Sequence, residues 1–413
     1  MTESASAAPA PAEGERHASW LELFFDLTAV AGVAQLAHLL HGSPGWDDVA
    51  LYAVMFLAFW TGWMLFTVYG NVSGDEVRTW TVLAGMFGMA VMAASVHGVR
   101  EDRAGAFALA YILVRSLAGK AWERRGEYVP ELPITQLGLG LTPWVVSMWF
   151  DGTARYALWA LGLAIDLTVM FSVSGTRLTA RVDARYAREA REPGPGRRAA
   201  AKPEAALMDA PHLGERLGLF QLIVLGEAIA QVVAAASQVE WDAALYAVGA
   251  GSFLLLLLLW SLSLRHGADG VPLLAWDVLP VRLVLPPHCF VAGAVAALAA
   301  GLGDAVEYPH HPVPQPVRWL LCGSLAVYLA VAGVAALSSG RGVRGTLLLV
   351  GPPLAAVLVT AAAARQAGAA HLVWLLVAAA AWTRLVTERR RPERRRPGRR
   401  RPGRRGRPAR PAP

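Results

Sequence analysis

Two carboxylates lie inside an apolar stretch near the beginning of the chain. In the segment WLELFFDLTAV, residues 20–30, Glu22 and Asp26 are four positions apart, which places them one turn apart on the same face of a helix. Like charges at this spacing repel each other, so the two groups need cationic partners or a shared proton. The stretch is therefore a capped helix end, a structural ion pair or part of a transport site.

Glu22 and Asp26 differ in their expected depth. Glu22 falls in the first helical turn, where the positive end of the helix dipole favours an acidic side chain. Asp26 lies one turn deeper, beyond the range in which the helix end stabilises an acid. We interpret Glu22 as a helix-end residue, and we expect Asp26 to have a buried partner.

Three further ionisable residues lie in the middle of apolar segments. They are Glu227 in LIVLGEAIAQ, Asp166 in LGLAIDLTVM and Arg115 in YILVRSLAGK. An ionisable side chain at the centre of a membrane costs about 2.5–3.5 kcal/mol on insertion scales, so each of these residues needs a reason to be there. We expect a network that joins Asp26, Glu227 or Asp166 to Arg115. The pattern favours a structural and a functional network equally.

The composition of the chain is that of a membrane protein. Of its 413 residues, 55% are hydrophobic and 17% are charged, with a mean hydropathy of +0.40, whereas soluble domains carry about 25% charged residues. Because a membrane-spanning helix needs about 20 apolar residues, the sequence predicts an all-α polytopic bundle of ten to twelve transmembrane helices. Twelve candidate spans lie near residues 20–41, 48–70, 77–98, 103–120, 133–150, 155–175, 214–236, 243–264, 281–301, 317–338, 345–363 and 368–387.

A basic segment divides the predicted spans into two groups of six. The predicted units are a disordered tail at 1–19, a first transmembrane half at 20–175, a basic loop at 176–213, a second transmembrane half at 214–387 and a disordered tail at 388–413. Because both halves begin on the same side of the membrane, an internal repeat would be parallel rather than inverted.

Basic residues are concentrated on one predicted side of the membrane. The loop at 176–213 carries eight of them, and the segment from Glu388 to Pro413 carries 13 Arg and 2 Glu. Because positively charged loops stay in the cytoplasm, we expect both termini there. The Arg-rich tail has no apolar side chains to bury. We expect it to bind anionic lipid headgroups, at about 1 kcal/mol per basic residue, and to recognise no specific nucleic acid.

The sequence contains no catalytic, metal-binding or nucleotide-binding motif in a credible context. The two cysteines, Cys289 and Cys322, both lie in apolar segments, and their spacing suggests neither a disulfide framework nor a metal site. We therefore expect no enzymatic activity, no cofactor and no metal, and an ATP-driven pump is not expected from this chain alone.

Four segments together resemble one known family. They are WLELFFDLTAVAGVAQLAHLL, FWTGWMLFTVYGNVSGDEVR, AYILVRSL and HLGERLGLFQLIVLGEAI, in that order over about residues 18–305. They resemble the bacterial low temperature requirement A (LtrA) family of membrane proteins. The fourth segment is the most specific, since it is similar to the family signature HLxERxGLFxIIxLGE. Besides Arg115 and Glu227, the residues that match the family motifs are Glu22, Asn71, Asp75, Arg78, His212, Glu215 and Arg216.

The resemblance implies a multi-pass protein of the bacterial plasma membrane and implies no particular substrate. Two segments depart from the family pattern. DLTAV replaces the usual DLVFV, and WSLSLRHGADG stands where the family has an aromatic-rich segment with an acidic residue. We expect Glu215 and Arg216, at the beginning of the seventh predicted span, to lie at the membrane interface.

Two functions are compatible with these residues. The first is a secondary transporter or ion-conducting protein for a small ion or solute, in which Asp26, Glu227 and Asp166 bind protons or cations and Arg115 is the counter-charge. The second is a structural or stress-adaptation membrane protein in which the same charges close helix–helix contacts. The sequence favours the first slightly and does not predict an oligomeric state.

Overall fold

The computed structural model describes residues 17–125, 127–135, 138–172, 175–191 and 204–389. These residues form thirteen α-helices: α1 Trp20–Ala37, α2 Trp46–Ser73, α3 Thr79–Val96, α4 Ala104–Arg125, α5 Leu141–Val146, α6 Gly152–Ser172, α7 Gly175–Arg191, α8 Ala210–Ala236, α9 Ala243–Trp260, α10 Val281–Glu307, α11 Gln315–Ser338, α12 Val343–Ala363 and α13 Ala369–Arg389. Two short strands, β1 Glu127–Tyr128 and β2 Glu204–Ala205, pair in parallel. Almost all of both predicted tails lies outside the described residues, and so does the part of the predicted basic loop at 192–203.

Ten of the described helices are long and apolar enough to cross a membrane. They are α1, α2, α3, α6 and α8 to α13. This confirms the predicted multi-pass helical architecture, whereas the predicted number of about twelve spans is not confirmed. The fourth predicted span corresponds to α4, whose apolar part, Ala104–Gly119, is shorter than the other spans.

The fifth predicted span, near 133–150, is not a continuous helix. It forms short 3₁₀ turns and the six-residue helix α5. Two glycines, Gly138 and Gly140, precede α5, and Pro143 lies within it. Relative to alanine, glycine costs a helix interior about 1 kcal/mol and proline about 3 kcal/mol. The segment is as apolar as a span requires, but these residues interrupt the helix.

The bundle has two ends, which we call proximal, where α1 begins, and distal, where α1 finishes. Strand β1 pairs with β2 just before α8 at the proximal end. Helix α6 begins at the distal end, where the Tyr156 hydroxyl donates to the Val99 carbonyl at 2.9 Å. The broken segment 133–149 therefore leads from one end to the other. The last described helix, α13, finishes at the proximal end, where Glu388 lies 3.9 Å from His266.

Helix α10 is the most completely buried of the ten long helices. Its sequence GAVAALAAGLGDA consists mainly of alanine and glycine, and such small side chains let neighbouring helix backbones approach closely. Helix α2 packs along it, and the Tyr52 hydroxyl donates to the Gly293 carbonyl at 2.7 Å. Helices α1, α2, α8 and α10 form the central packing unit that holds most of the buried polar side chains described below.

The connection between α9 and α10 is irregular and partly buried. Helix α9 continues into one π-helical turn, Ser261–Arg265, and the chain then adopts positive φ at Asp269, Gly270 and Leu273. Val271 and Leu274 are buried. Irregular backbone at membrane depth is tolerated only where protein surrounds it, and here α8 and α10 supply that surrounding.

Helix α7 occupies the first part of the predicted basic loop. Leu178, Val182 and Tyr186 recur every four residues along it, and five arginines occupy other positions of the helix. This spacing makes α7 amphipathic, and Leu178 is buried. A helix therefore stands where the sequence suggested only a charged connection.

Candidate functional site

Helix α1 begins at Trp20 because a capping box fixes its first turn. The Glu22 carboxylate accepts hydrogen bonds from the Ser19 backbone N–H at 2.8 Å and from the Ser19 hydroxyl at 2.9 Å. In return, the Glu22 backbone N–H donates to Ser19 Oγ at 3.3 Å. This reciprocal pair satisfies two otherwise free groups of the helix end. Glu22 therefore lies at the helix end, as the sequence suggested.

Asp26 is completely buried and its partner is Arg216 of α8. The Arg216 guanidinium donates from Nη2 to Asp26 Oδ1 at 2.6 Å and from Nε to Asp26 Oδ2 at 3.2 Å. The Trp63 indole N–H of α2 donates to the same Oδ1 at 2.7 Å. Both carboxylate oxygens thus have charged or polar donors, which a buried charge requires.

The Arg216 guanidinium also contacts Glu22. Arg216 Nη1 lies 3.0 Å from Glu22 Oε1, and Nη2 donates to the Glu22 carbonyl at 3.3 Å. His212, one turn earlier on α8, places its Nε2 3.5 Å from Glu22 Oε2. Two carboxylates and one guanidinium therefore share one buried site. We call Glu22, Asp26, Trp63, His212 and Arg216 the proximal cluster.

Local contacts of α8 explain the position of the Arg216 side chain. Asp209 caps the helix by accepting from the His212 backbone N–H at 3.1 Å. Asn71, near the end of α2, donates to the Asp209 carbonyl at 2.8 Å and accepts from its backbone N–H at 2.9 Å. The Asn71 amide also lies 3.1 Å from His212 Nδ1. These hydrogen bonds of Asn71 therefore connect the end of α2 to the beginning of α8.

Arg216, which the sequence placed at the membrane interface, is buried inside the protein. Its side chain is 1% exposed because it packs against α1, and α8 begins at Ala210 rather than near 214, so Arg216 is almost two turns inside the helix. Asp209 followed by Pro211 is a signal for a helix beginning, and it indicates this earlier start. Glu215 on the neighbouring position is half-exposed and lies 3.6 Å from His17.

The proximal cluster continues towards a buried histidine on α10. The Trp60 indole donates to His288 Nδ1 at 3.1 Å. Because indole N–H is only a donor, this contact places the imidazole proton on Nε2, which donates to the Leu217 carbonyl at 3.0 Å. Trp63 stacks on the same ring, with centroids 5.8 Å apart. Sequence reasoning did not single out His288.

Arg115 and Asp166 form a separate pair away from the proximal cluster. Arg115 Nη2 donates to Asp166 Oδ2 at 2.9 Å, and both side chains are 3% exposed. Arg115 Nη1 also lies 3.5 Å from the Ile134 carbonyl in the broken segment. Of the three predicted carboxylate partners of Arg115, the structure therefore brings only Asp166 to it. Asp26 is joined to Arg216 instead, because α8 rather than α4 supplies the cation nearest to α1.

Glu227 belongs to a third group, near the distal end. The Gln231 amide donates to Glu227 Oε1 at 2.8 Å, and Gln231 Oε1 lies 3.3 Å from His41 Nε2. His41 Nδ1 lies 2.8 Å from Asp304 Oδ1. We call His41, Glu227, Gln231 and Asp304 the distal cluster. The hydrogen bond to Asp304 raises the pKa of His41 above its usual value.

His41 and Asp304 were missed in the sequence for an identifiable reason. The ninth predicted span ended near 301, whereas α10 continues to Glu307 and keeps Asp304 buried within it. Asp304 lies in AAGLGDAV, which continues the apolar run of the ninth predicted span. A longer predicted span would have included this carboxylate. His41 follows the 3₁₀ turn His38–Leu40 at the end of α1, and the neighbouring Gly42 donates its backbone N–H to Asp304 Oδ2 at 3.1 Å.

Two further motif residues lie outside these clusters. Arg78 is exposed, and its backbone N–H donates to the Tyr69 hydroxyl at 3.3 Å. The side chain of Asp75 is outside the described part of the structure. Within the described ranges, no three His, Cys, Asp or Glu side chains gather in a way that suits a metal ion.

The comparison with family models decides the identity of the chain. The model of the bacterial low temperature requirement A protein (LtrA) family matches residues 17–384. The chain belongs to the LtrA family. The match extends beyond the 18–305 range of the motif resemblance and includes the distal cluster as well as the proximal one. No curated protein and no solved structure matches this LtrA-family chain.

Proposed function

We propose that this LtrA-family protein is a proton- or cation-coupled transporter for a small ion or solute. Its proximal and distal clusters would be two successive binding sites. The observation that carries the proposal is the burial of two carboxylates, Glu22 and Asp26, against the guanidinium of Arg216. Carboxylates buried in a membrane bundle are typical of proton relays and ion pathways, and this cluster brings two of them together.

A cavity at the proximal end supports access to this cluster. It has a volume of about 140 Å³, and Ser19, Glu22, Gly70 and Arg216 are among the residues that line it. Asp26 lies one helical turn behind Glu22 and is not part of the lining. A proton or small cation arriving from the proximal side would therefore meet Glu22 first and Asp26 second.

Both clusters include residues of α8, and His41 of the distal cluster lies just beyond the end of α1. Arg216 and Glu227 are 11 residues apart on α8, which corresponds to about 16 Å along the helix axis. The side chains between the two clusters, such as Val30, Val33 and Val224, are buried and apolar. Transfer between the clusters would thus require a rearrangement of α1 against α8, as in alternating access.

A flux measurement in liposomes tests the proposal. Purified protein is reconstituted into vesicles that contain a pH-sensitive dye, a proton gradient is imposed, and the membrane potential is held with valinomycin and potassium. We expect proton flux with the unmodified protein and its loss with Asp26→Asn and with Glu227→Gln. Both variants are first checked by size-exclusion chromatography, and undiminished flux in both would overturn the proposal.

The location and orientation of the protein are part of the proposal. The family and the ten apolar helices support a bacterial plasma membrane, and the basic residues of α7 and of the Arg-rich tail support a cytoplasmic proximal end. Anionic headgroups would then be the partner of the tail. A periplasm-active reporter fused after Pro413 should be silent and a cytoplasm-active one functional, and the reverse result would contradict this orientation.

A structural role is the second candidate, and the direct pairing of Asp26 and Asp166 with buried arginines favours it. Asp26 is 0% exposed with three donor contacts, and the Arg115–Asp166 pair is equally buried. In this role the ion pairs would hold helices together and would transport no ion or solute. It predicts no flux of any tested ion by the unmodified protein, together with a lower melting temperature in detergent for the neutral variants.

A further inference from the structure

We propose that a groove between α2, α6, α10 and α11 binds one acyl chain of a bilayer phospholipid. The groove has a volume of about 790 Å³, more than five times the volume of about 140 Å³ of the proximal cavity. Its wall includes the buried side chains of Tyr52, Phe56 and Leu320. It lies outside both polar clusters, so the inference does not depend on the proposed transport.

The chemistry of the wall selects a hydrocarbon ligand. None of the described residues that line the groove is charged. The Tyr52 hydroxyl is already used, because it donates to the Gly293 carbonyl at 2.7 Å. A solute with hydrogen-bonding groups would lose its water here and gain few partners in exchange. A saturated chain has no such groups and fills the space by van der Waals contact.

The position and direction of the groove match a chain within the bilayer. Along α2 its lining runs from Trp46, near the distal end, to Trp60, a distance of about 21 Å along the helix. Half of the hydrocarbon core of a bilayer is about 15 Å thick, so the groove extends through one leaflet and beyond the midplane. A chain anchored at the distal surface therefore reaches its inner part.

The groove is open sideways, where the bilayer surrounds the bundle. Phe290 on α10 is 62% exposed and Val327 on α11 is 42% exposed, and both belong to the lining. The space is thus continuous with the lipid phase rather than sealed inside the protein. This continuity identifies the occupant as a phospholipid already present in the membrane, which inserts one chain from the distal leaflet.

Gly323 offers a way to fill the groove without disturbing its wall. This residue lines the groove, and a Cβ atom added there would meet no atom within 4 Å. A leucine at this position therefore projects into the open space. Ala53, an exposed lining residue on α2, allows the same test from the opposite wall. Gly249 on α9 is a matched control, since it also has no atom within 4 Å of an added Cβ and does not line the groove.

Photolabelling tests the inference. The protein is reconstituted in phosphatidylethanolamine vesicles that contain a trace of phosphatidylcholine with a diazirine in the middle of one acyl chain. After illumination, the labelled peptides are identified by mass spectrometry. We expect label on the lining segments of α2 and α10 in the unmodified protein and in Gly249→Leu, and loss of that label in Gly323→Leu and in Ala53→Phe.

Two results would overturn the acyl-chain site. One is labelling of α3 and α9, which do not line the groove, as strong as that of the groove segments, which would mean ordinary contact with bulk lipid. The other is unchanged groove labelling in a Gly323→Leu protein that elutes as a folded species. If Gly323→Leu fails to insert into the membrane, the labelling of Ala53→Phe decides between retention and loss of the site. Proton flux is not part of this readout, so failure of the transport proposal leaves the result interpretable.

Discussion

The Arg216 guanidinium binds the Asp26 carboxylate side-on, with Nη2 2.6 Å from Oδ1 and Nε 3.2 Å from Oδ2. The two residues are 190 positions apart in sequence and belong to the first helices of the two predicted halves, α1 and α8. This pair therefore joins the halves at their beginnings. It also brings the first of the four motif segments, which contains Asp26, into direct contact with the fourth, which contains Arg216.

The Asp26–Arg216 pair should be strongly coupled in stability. Removing one partner of a buried ion pair leaves an uncompensated charge and costs about 3–5 kcal/mol, so we expect this loss for Asp26→Ala and for Arg216→Ala. The double variant Asp26→Leu/Arg216→Met replaces the pair by apolar side chains and should recover part of the loss, since Glu22 still lacks its contact with Arg216. Unfolding in detergent measures all three proteins. A double variant whose loss equals the sum of the single losses would contradict the coupling.

Gly70 should be required for the position of the Glu22 carboxylate. A Cβ atom added to Gly70 would lie 2.9 Å from Glu22 Oε1, which is closer than real Cβ contacts. Gly70→Ala should therefore push the carboxylate away from Arg216 and lower the stability by about 1–3 kcal/mol, the usual cost of overpacking.

Gly119→Ala is the control for the Gly70 substitution. Gly119 also lies in a long helix, α4, but a Cβ atom there meets no atom within 4 Å. Alanine is the better helix former by about 1 kcal/mol, so this variant should be as stable as the unmodified protein or more stable. Equal melting temperatures for Gly70→Ala and Gly119→Ala would show that Glu22 does not depend on Gly70.

The distal cluster should make stability depend on pH. The hydrogen bond to Asp304 raises the pKa of His41 above 6.5, so folding favours the protonated imidazole. This stabilisation is complete below pH 6.5, the value expected for the unfolded chain, and is lost as the pH rises through the higher folded pKa. The melting temperature of the unmodified protein should therefore fall over that interval.

His41→Gln should remove this pH dependence, because glutamine does not titrate. His371→Gln, at an exposed position of α13, is the matched control and should keep the decrease. Differential scanning fluorimetry from about pH 5.5 to 8.5, a range that brackets the titration of histidine, compares the three proteins. A decrease of the same size in His41→Gln would assign the effect to another group.

Sequence reasoning predicted the helices better than the contacts between them. Ten apolar runs were long enough to identify spans by composition alone, whereas the run near 133–150 has similar composition but contains helix-breaking glycines and a proline. For Asp26 the sequence suggested Arg115 as the cation, whereas the structure places Arg216 beside it. The partner itself depends on which helices are neighbours, and hydropathy carries no information about that. Arg216 was thus placed at the membrane interface, and its contact with Asp26 was not predicted.

The distal cluster illustrates the same limit. His41, Gln231 and Asp304 come from three separate parts of the chain, and each residue alone is an ordinary polar group near a helix end. Only the packing of α1, α8 and α10 makes them one group. The pairing of Arg115 with Asp166 was among the predicted alternatives, since both residues lie at mid-depth in consecutive long helices of the first half.

Comparing Asp26→Asn with Asp166→Asn in the liposome flux assay tests the transport proposal most directly. Each variant neutralises a buried carboxylate that is paired with an arginine, so both should lose stability to a similar extent. Only Asp26 belongs to the proximal cluster, which joins α1 to α8. We predict that Asp26→Asn abolishes proton flux while Asp166→Asn retains it. Equal flux through the two variants, or no flux through the unmodified protein, would contradict a transport role for the proximal cluster.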